Sequence, residues 1–142
     1  MILLDSPVNG IVPASLPSAG LLDQLAAHNG LHGAAFTNVG YGASGYSQGG
    51  GPRQREFPGL RMDSTSTFMS LENAYLRLSE NQATGNGGTC NLDSGGPQFL
   101  ADSNMLVSIT VDGDRYCTAL DVNYRLDTPS ARSFLSQFVA LP

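Results

Sequence analysis

Charge is scarce in this chain. Asp, Glu, Lys and Arg together make up 13% of its 142 residues, and they balance at −5. The basic residues never gather beyond Arg53-Gln54-Arg55, which excludes the basic stripe of a nucleic-acid-binding surface. Long apolar runs are missing too. The opening run is Met1-Ile2-Leu3-Leu4, too short for a signal peptide or a membrane span, so no membrane partner is expected. It lacks a polar leader and reads like a strand cut in its middle. There is no Glu/Lys/Ala-rich helical bias and no internal repeat. Cysteine is limited to Cys90 and Cys117, which either pair or stand as buried thiols. A bridge would close a loop of about 28 residues, contribute roughly 3–4 kcal/mol on the chain-entropy account, and imply an oxidising compartment.

What is present favours an all-β protein. Apolar residues reach 41%, enough for a core, while 17 glycines and 8 prolines imply many turns. The length suits one domain, or one piece of a larger protein. Residues 1–5 read as a strand, and 6–30, punctuated by Pro7, Gly10, Pro13, Pro17, Gly20 and Gly30, as a connection with a short helix near Leu21–Ala27. Ala34–Val39 reads as a strand and Gly40–Gly59 as a mobile glycine-rich loop. Leu60–Leu71 alternates through Met62, Ser64, Ser66 and Phe68. Ala74–Leu78 sets Ala74, Leu76 and Leu78 against Tyr75 and Arg77. Gln98–Ala101 and Met105–Val111 form a hairpin pattern around Asp102-Ser103-Asn104, and Arg115–Arg125 continues extended after the Asp112-Gly113-Asp114 turn. Thr128 and Pro129 are a helix start, and Phe134, Leu135, Phe138 and Val139 then share one helical face. This predicts a helix over 129–140 docked on the β domain.

Several motifs lead nowhere. Gly40-Tyr41-Gly42-Ala43-Ser44-Gly45 fits G-x-G-x-x-G, but the glycine-rich sequence after it cannot be the helix that a pyrophosphate requires. The residue two before Ser94 is Leu92, so the G-x-S-x-G elbow fails. His28 and His32 stand four apart with no carboxylate between them and read as exposed loop histidines. No metal and no cofactor are expected.

Gly87-Gly88-Thr89-Cys90-Asn91-Leu92-Asp93-Ser94-Gly95-Gly96-Pro97 carries more information. Cys90, Asp93, Ser94, Gly95, Gly96 and Pro97 match, in register, the pattern C-x-G-D-S-G-G-P, and the stretch resembles the nucleophile segment of the trypsin/chymotrypsin-like serine proteases. Val39-Gly40-Tyr41-Gly42 is similar to that family's V-G-W/Y-G strand end. Leu106–Val111 is similar to the strand after the nucleophile, and Tyr124–Thr128 with the terminal helix to the end of bacterial trypsin-like members. Leu3–Val8 and Leu16-Pro17 resemble the central connection, so the likeness covers nearly all of the chain.

The resemblance implies a chymotrypsin-like fold, of which this chain would hold the second antiparallel six-stranded barrel with its C-terminal helix. Residues 1–30 would be a remnant strand and inter-barrel linker, 31–142 the C-terminal barrel, and the N-terminal barrel would be largely absent. It implies a secreted serine endopeptidase acting on peptide or protein substrates. Ser94 would be the nucleophile, the backbone N–H groups of Leu92 and Ser94 the oxyanion hole, and Asp93 the acid that pairs with a new N-terminal ammonium on activation. Cys117 would be the disulfide partner of Cys90. Gly88, Thr89, Thr110, Val111 and Asp112 would line the specificity pocket. Since Gly88 or Thr89 stands where an acid would select Arg or Lys, that preference is not implied.

A serine needs a base to be a nucleophile. In this family the histidine and aspartate precede the segment that Met1–Leu4 resembles, Asp5 falls too late, and His28 and His32 lie in the connection. Both catalytic partners are therefore expected to be absent from the chain, which would leave it inactive alone, and the missing N-terminal barrel is its expected packing partner. Loss of a triad base or nucleophile costs about 10⁶ in kcat. Leu92 replaces the family glycine, a position where leucine strains the turn. The alternative function is a non-catalytic homologue that binds partners or peptides.

Overall fold

The computed structural model describes residues 2–47 and 53–142. Six strands close an antiparallel barrel in the order β1 (Ala35–Gly40), β4 (Met62–Leu71), β5 (Tyr75–Ser79), β8 (Leu120–Arg125), β7 (Leu106–Gly113) and β6 (Pro97–Leu100). A short pair, β2 (Gly45–Tyr46) and β3 (Arg55–Glu56), stands apart in the Gly40–Gly59 segment; residues 48–52 of the expected mobile loop lie outside the described residues. Two short helices, α1 (Leu21–Ala27) and α2 (Pro129–Leu135), flank the barrel.

The buried positions recur every second residue, as a pleated strand demands. In β1 they are Phe36 and Asn38, in β5 Leu76 and Leu78, and in β8 Asp121, Asn123 and Arg125. The apolar core gathers Phe36, Leu76, Leu78 and Val107 with Leu22 of α1 and Leu31. Most of the remaining buried residues are polar, and some of them pair with one another. Asn38 Nδ2 donates to the Ser66 hydroxyl (3.1 Å), Gln98 Nε2 to Thr110 Oγ1, and Ser108 Oγ to Gln98 Oε1. Burying such groups without partners would cost roughly 1–3 kcal/mol each.

The expected connection 6–30 is tied to the barrel by charge. Arg125, 2% exposed, reaches Asp127 through Nε and Nη2 (both 2.9 Å) and Asp23 of α1 through Nη1 (3.1 Å) and Nη2 (2.7 Å). Asp127 also accepts the Leu22 N–H at 2.8 Å. Nη1 also donates to the Glu72 carbonyl (2.8 Å), so each of the five guanidinium donors is matched, which makes burial of this cation tolerable.

Two expectations fail locally. Residues 2–5 form no strand, since no neighbouring strand pairs with them, and Ile2, Leu3 and Leu4 are exposed. The terminal helix starts as expected, with Thr128 Oγ1 capping the Ala131 N–H, but it ends at Leu135 and continues only as turns. It buries Ala131, while Phe134, Phe138 and Val139, expected to dock, are 49%, 38% and 44% exposed. Phe134 and Phe138 pack on each other, with ring centres 5.2 Å apart.

Candidate functional site

Ser94 is the second residue of the latter of two consecutive reverse turns, which share Asp93. The Asp93 N–H donates to the Cys90 carbonyl (3.0 Å), and the Gly96 N–H to the Asp93 carbonyl (2.8 Å). The third residue of each turn has positive φ, Leu92 at 77° and Gly95 at 86°. That is the signature of type II turns, which favour glycine there. Leucine pays about 1–2 kcal/mol for it, and its side chain is 78% exposed. The second turn is pinned to the barrel, because the Gly95 N–H donates to the Thr110 carbonyl (2.8 Å) and the Thr110 N–H to Gly96 (3.0 Å). Ser94 is left exposed, and among the described residues its hydroxyl has no hydrogen-bond partner. The backbone N–H groups of Leu92 and Ser94 likewise make no hydrogen bond within the described chain.

Asp93 is the buried anchor of this turn. Its Oδ1 accepts the Gly42 N–H (2.7 Å) and its Oδ2 the Cys90 N–H (2.9 Å). A Cβ on Gly40 or Gly42 would overlap the Asp93 carboxylate, and a Cβ on Gly96 would press on the Asp93 and Val39 carbonyls. The G-x-G at 40–42 therefore makes room for an aspartate. β1 ends there and the chain turns into β2, with no helix to receive a dinucleotide.

The Cys90–Cys117 disulfide is formed, with Cα atoms 5.3 Å apart, and joins this turn to the β7–β8 connection. That connection is organised by Asp114. Its carboxylate accepts the N–H groups of Tyr116 (2.9 Å), Thr118 (2.9 Å), Ala119 (2.7 Å) and Leu120 (3.1 Å). Burial works against the charge, but these four donors outweigh it and hold the Asp114 carboxyl below its ordinary range.

Beside the turn lies an open cavity of about 410 Å³, lined among others by Gly88, Thr89, Cys90, Asp93, Tyr116 and Cys117. Of the five residues expected around a specificity pocket, only Gly88 and Thr89 line it. Thr110 is buried against Gln98, and Val111 and Asp112 face solvent further along β7. Ser94 does not line the cavity either.

Sequence reasoning missed two acids behind the cavity floor. Glu80 Oε1 accepts the Thr89 N–H (2.8 Å), and Asp121 Oδ1 accepts the Thr89 hydroxyl (2.9 Å). A Cβ on Gly88 would overlap the Glu80 side chain. Both acids are at most 1% exposed. Glu80 Oε2, Asp121 Oδ2 and both polar side-chain atoms of Asn123 have no protein partner. Desolvation, then the neighbouring Asp121 charge, pushes the Glu80 carboxyl up to about 8 despite the Thr89 N–H. Desolvation pushes Asp121 up to about 6, opposed by the Thr89 hydroxyl. The floor of the cavity thus has carboxyl groups beneath it, although neither Gly88 nor Thr89 is an acid.

Among the described residues none hydrogen-bonds to Ser94 as a base. His28 and His32 precede β1, at its Ala35 end, whereas Asp93 and Ser94 lie beside its Gly40 end, about 17 Å along the strand. Neither imidazole makes a hydrogen bond to Ser94. Among the described residues no group of three or more His, Cys, Asp or Glu side chains is placed to hold a metal, and no helix is long and apolar enough to cross a membrane. No protein-family model matches this chain, and no curated protein matches it.

Proposed function

We propose that this chain is the second barrel of a trypsin/chymotrypsin-like serine endopeptidase, with Ser94 as the acylated nucleophile. One observation carries the reading. Asp93, held between Gly40 and Gly42 and by the Cys90 N–H, orders a pair of turns in which Ser94 is exposed and the Leu92 and Ser94 N–H groups make no hydrogen bond within the described chain. Backbone donors left unpaired next to a serine in sequence suit a tetrahedral oxyanion. In this reading the Leu92 and Ser94 N–H groups receive that oxyanion, and Asp93 exchanges its backbone partners for an ammonium on activation. The disulfide is compatible with secretion.

Acylation requires a proton acceptor, so the reading assigns histidine and its orienting aspartate to a preceding barrel. The exposed Ile2, Leu3, Leu4, Val8, Ile11 and Val12, with Phe134 and Phe138, are the surface such a barrel would cover. Alone, the chain is inactive and self-associates. The test is the reading frame immediately upstream of Met1. A histidine-bearing segment ending in an aspartate just before Met1, whose joined product hydrolyses peptides and loses that activity on Ser94→Ala, supports the proposal. An in-frame stop codon directly before Met1 contradicts it.

A second reading is a non-catalytic homologue that binds peptides. The strained, exposed Leu92 favours it, since an enzyme gains nothing from that side chain at an oxyanion position. Leu92→Gly in the joined protein separates the two, because a working enzyme keeps or gains rate while a binding module stays inert.

A further inference from the structure

The chain contains no lysine, and its seven basic residues are all arginine. Three of them converge on two tyrosines at the cavity mouth. The Arg53 guanidinium lies 5.1 Å and that of Arg115 5.6 Å from the centre of the Tyr116 ring. Arg55 lies 5.9 Å from the centre of the Tyr46 ring, and the two rings meet edge to face at 5.6 Å. Arg53, Tyr46 and Tyr116 line the cavity itself.

None of the three arginines forms an ion pair among the described residues; the ion pairs there use Arg77 and Arg125. Glu56 and Asp63 also line the cavity, but neither pairs with them. Like charges gathered without an ion-pair partner repel, and a molecule with a balance of −5 has carboxylates to spare. A guanidinium held over a ring keeps its terminal N–H groups for bidentate binding of a carboxylate.

The rim is also anchored to the Ser94 turn. The Tyr46 hydroxyl donates to the Arg115 carbonyl (2.7 Å), accepts from Arg55 Nε (3.2 Å) and lies 3.2 Å from Asn91 Oδ1. Cys117, two residues after Arg115, is bridged to Cys90. The rim is therefore linked, through Asn91 and Cys90, to the segment that carries Ser94.

We propose that Arg53, Arg55 and Arg115 form a binding site for the carboxylate side chains of an acidic peptide segment, which sets the substrate preference of the site. This rests on the reading of the Ser94 turn as peptide-handling, and it concerns binding rather than chemistry. The test uses the full 142-residue chain and three fluorescent ten-residue peptides, alike except for four central positions that are Glu, Gln or Lys, read by anisotropy at low and high salt. The Glu peptide binds at least tenfold tighter than the Gln peptide, the Lys peptide does not bind, and added salt weakens the Glu peptide most. Arg53→Gln and Arg115→Gln each weaken the Glu peptide about three- to tenfold and leave the Gln peptide unchanged. These affinities report the arginine rim alone, whereas the nucleophile reading stands or falls on peptide hydrolysis by the joined protein, so failure of one is told apart from failure of the other. Equal affinity for the Glu and Gln peptides, absence of Glu-peptide binding, or Arg variants that bind it as well as the parent would overturn the proposal.

Discussion

Glu80→Gln should make the protein markedly less sensitive to pH. Glu80 is 1% exposed, and burial with the nearby Asp121 charge raises its carboxyl from 4.5 to about 8. The folded state therefore holds a proton that the unfolded chain releases above 4.5. Stability is intact below that value and falls as pH rises through the window to about 8. At 1.36 kcal/mol per unit, the ceiling of the loss is about 5 kcal/mol. Asp121, raised to about 6, adds a loss of the same sign over a lower window. Glutamine keeps an oxygen for the Thr89 N–H and cannot ionise. Urea unfolding followed by circular dichroism at pH 5 and pH 8 should find parent and variant within about 1 kcal/mol at pH 5. At pH 8 the variant should be more stable by at least about 2 kcal/mol. Parallel pH profiles for the two proteins would refute the argument, since an exposed or already ionised Glu80 gives that result.

Further outcomes follow from the same geometry. Gly42→Ala places a methyl group against the Asp93 carboxylate and the Asn91 carbonyl, and should cost about 3 kcal/mol in thermal unfolding. Leu92→Gly relieves the left-handed leucine at φ 77°, and should stabilise by up to about 1 kcal/mol after the entropy of glycine is subtracted, measured by urea midpoint. Cys117→Ser opens the bridge to Cys90 and should cost roughly 2–5 kcal/mol in calorimetry under non-reducing conditions. Arg125→Met strands the fully buried Asp127 carboxylate, and should cost about 3–5 kcal/mol by urea unfolding.

The barrel was legible where side chains obey the two-residue period. Leu76 and Leu78 alternate with Tyr75 and Arg77 in sequence, and they do so in space. The Cys90–Cys117 pairing, implied by resemblance, is present. The polar half of the interior was not legible. Glu80, Asp121 and Asn123 sit at inward positions of β8 and just beyond β5, where sequence offers polar residues that read as solvent-facing. Their burial depends on barrel closure, which no local pattern reports. Gly40 and Gly42 gave a false cofactor motif because a glycine pair states only that something approaches closely. That it is Asp93, 51 residues after Gly42, is a fact of tertiary structure. The terminal helix began where its cap predicted and stopped early, because a helical apolar stripe declares a face without naming its cover.

The most direct test of the central claim is the adduct formed by a fluorophosphonate serine probe, located by peptide mass spectrometry. The proposal predicts no adduct on the 142-residue chain alone, and a stoichiometric adduct at Ser94 once the preceding histidine- and aspartate-bearing barrel is joined to it. Rapid labelling of Ser94 in the chain alone, or none at Ser94 in the joined protein, would contradict it.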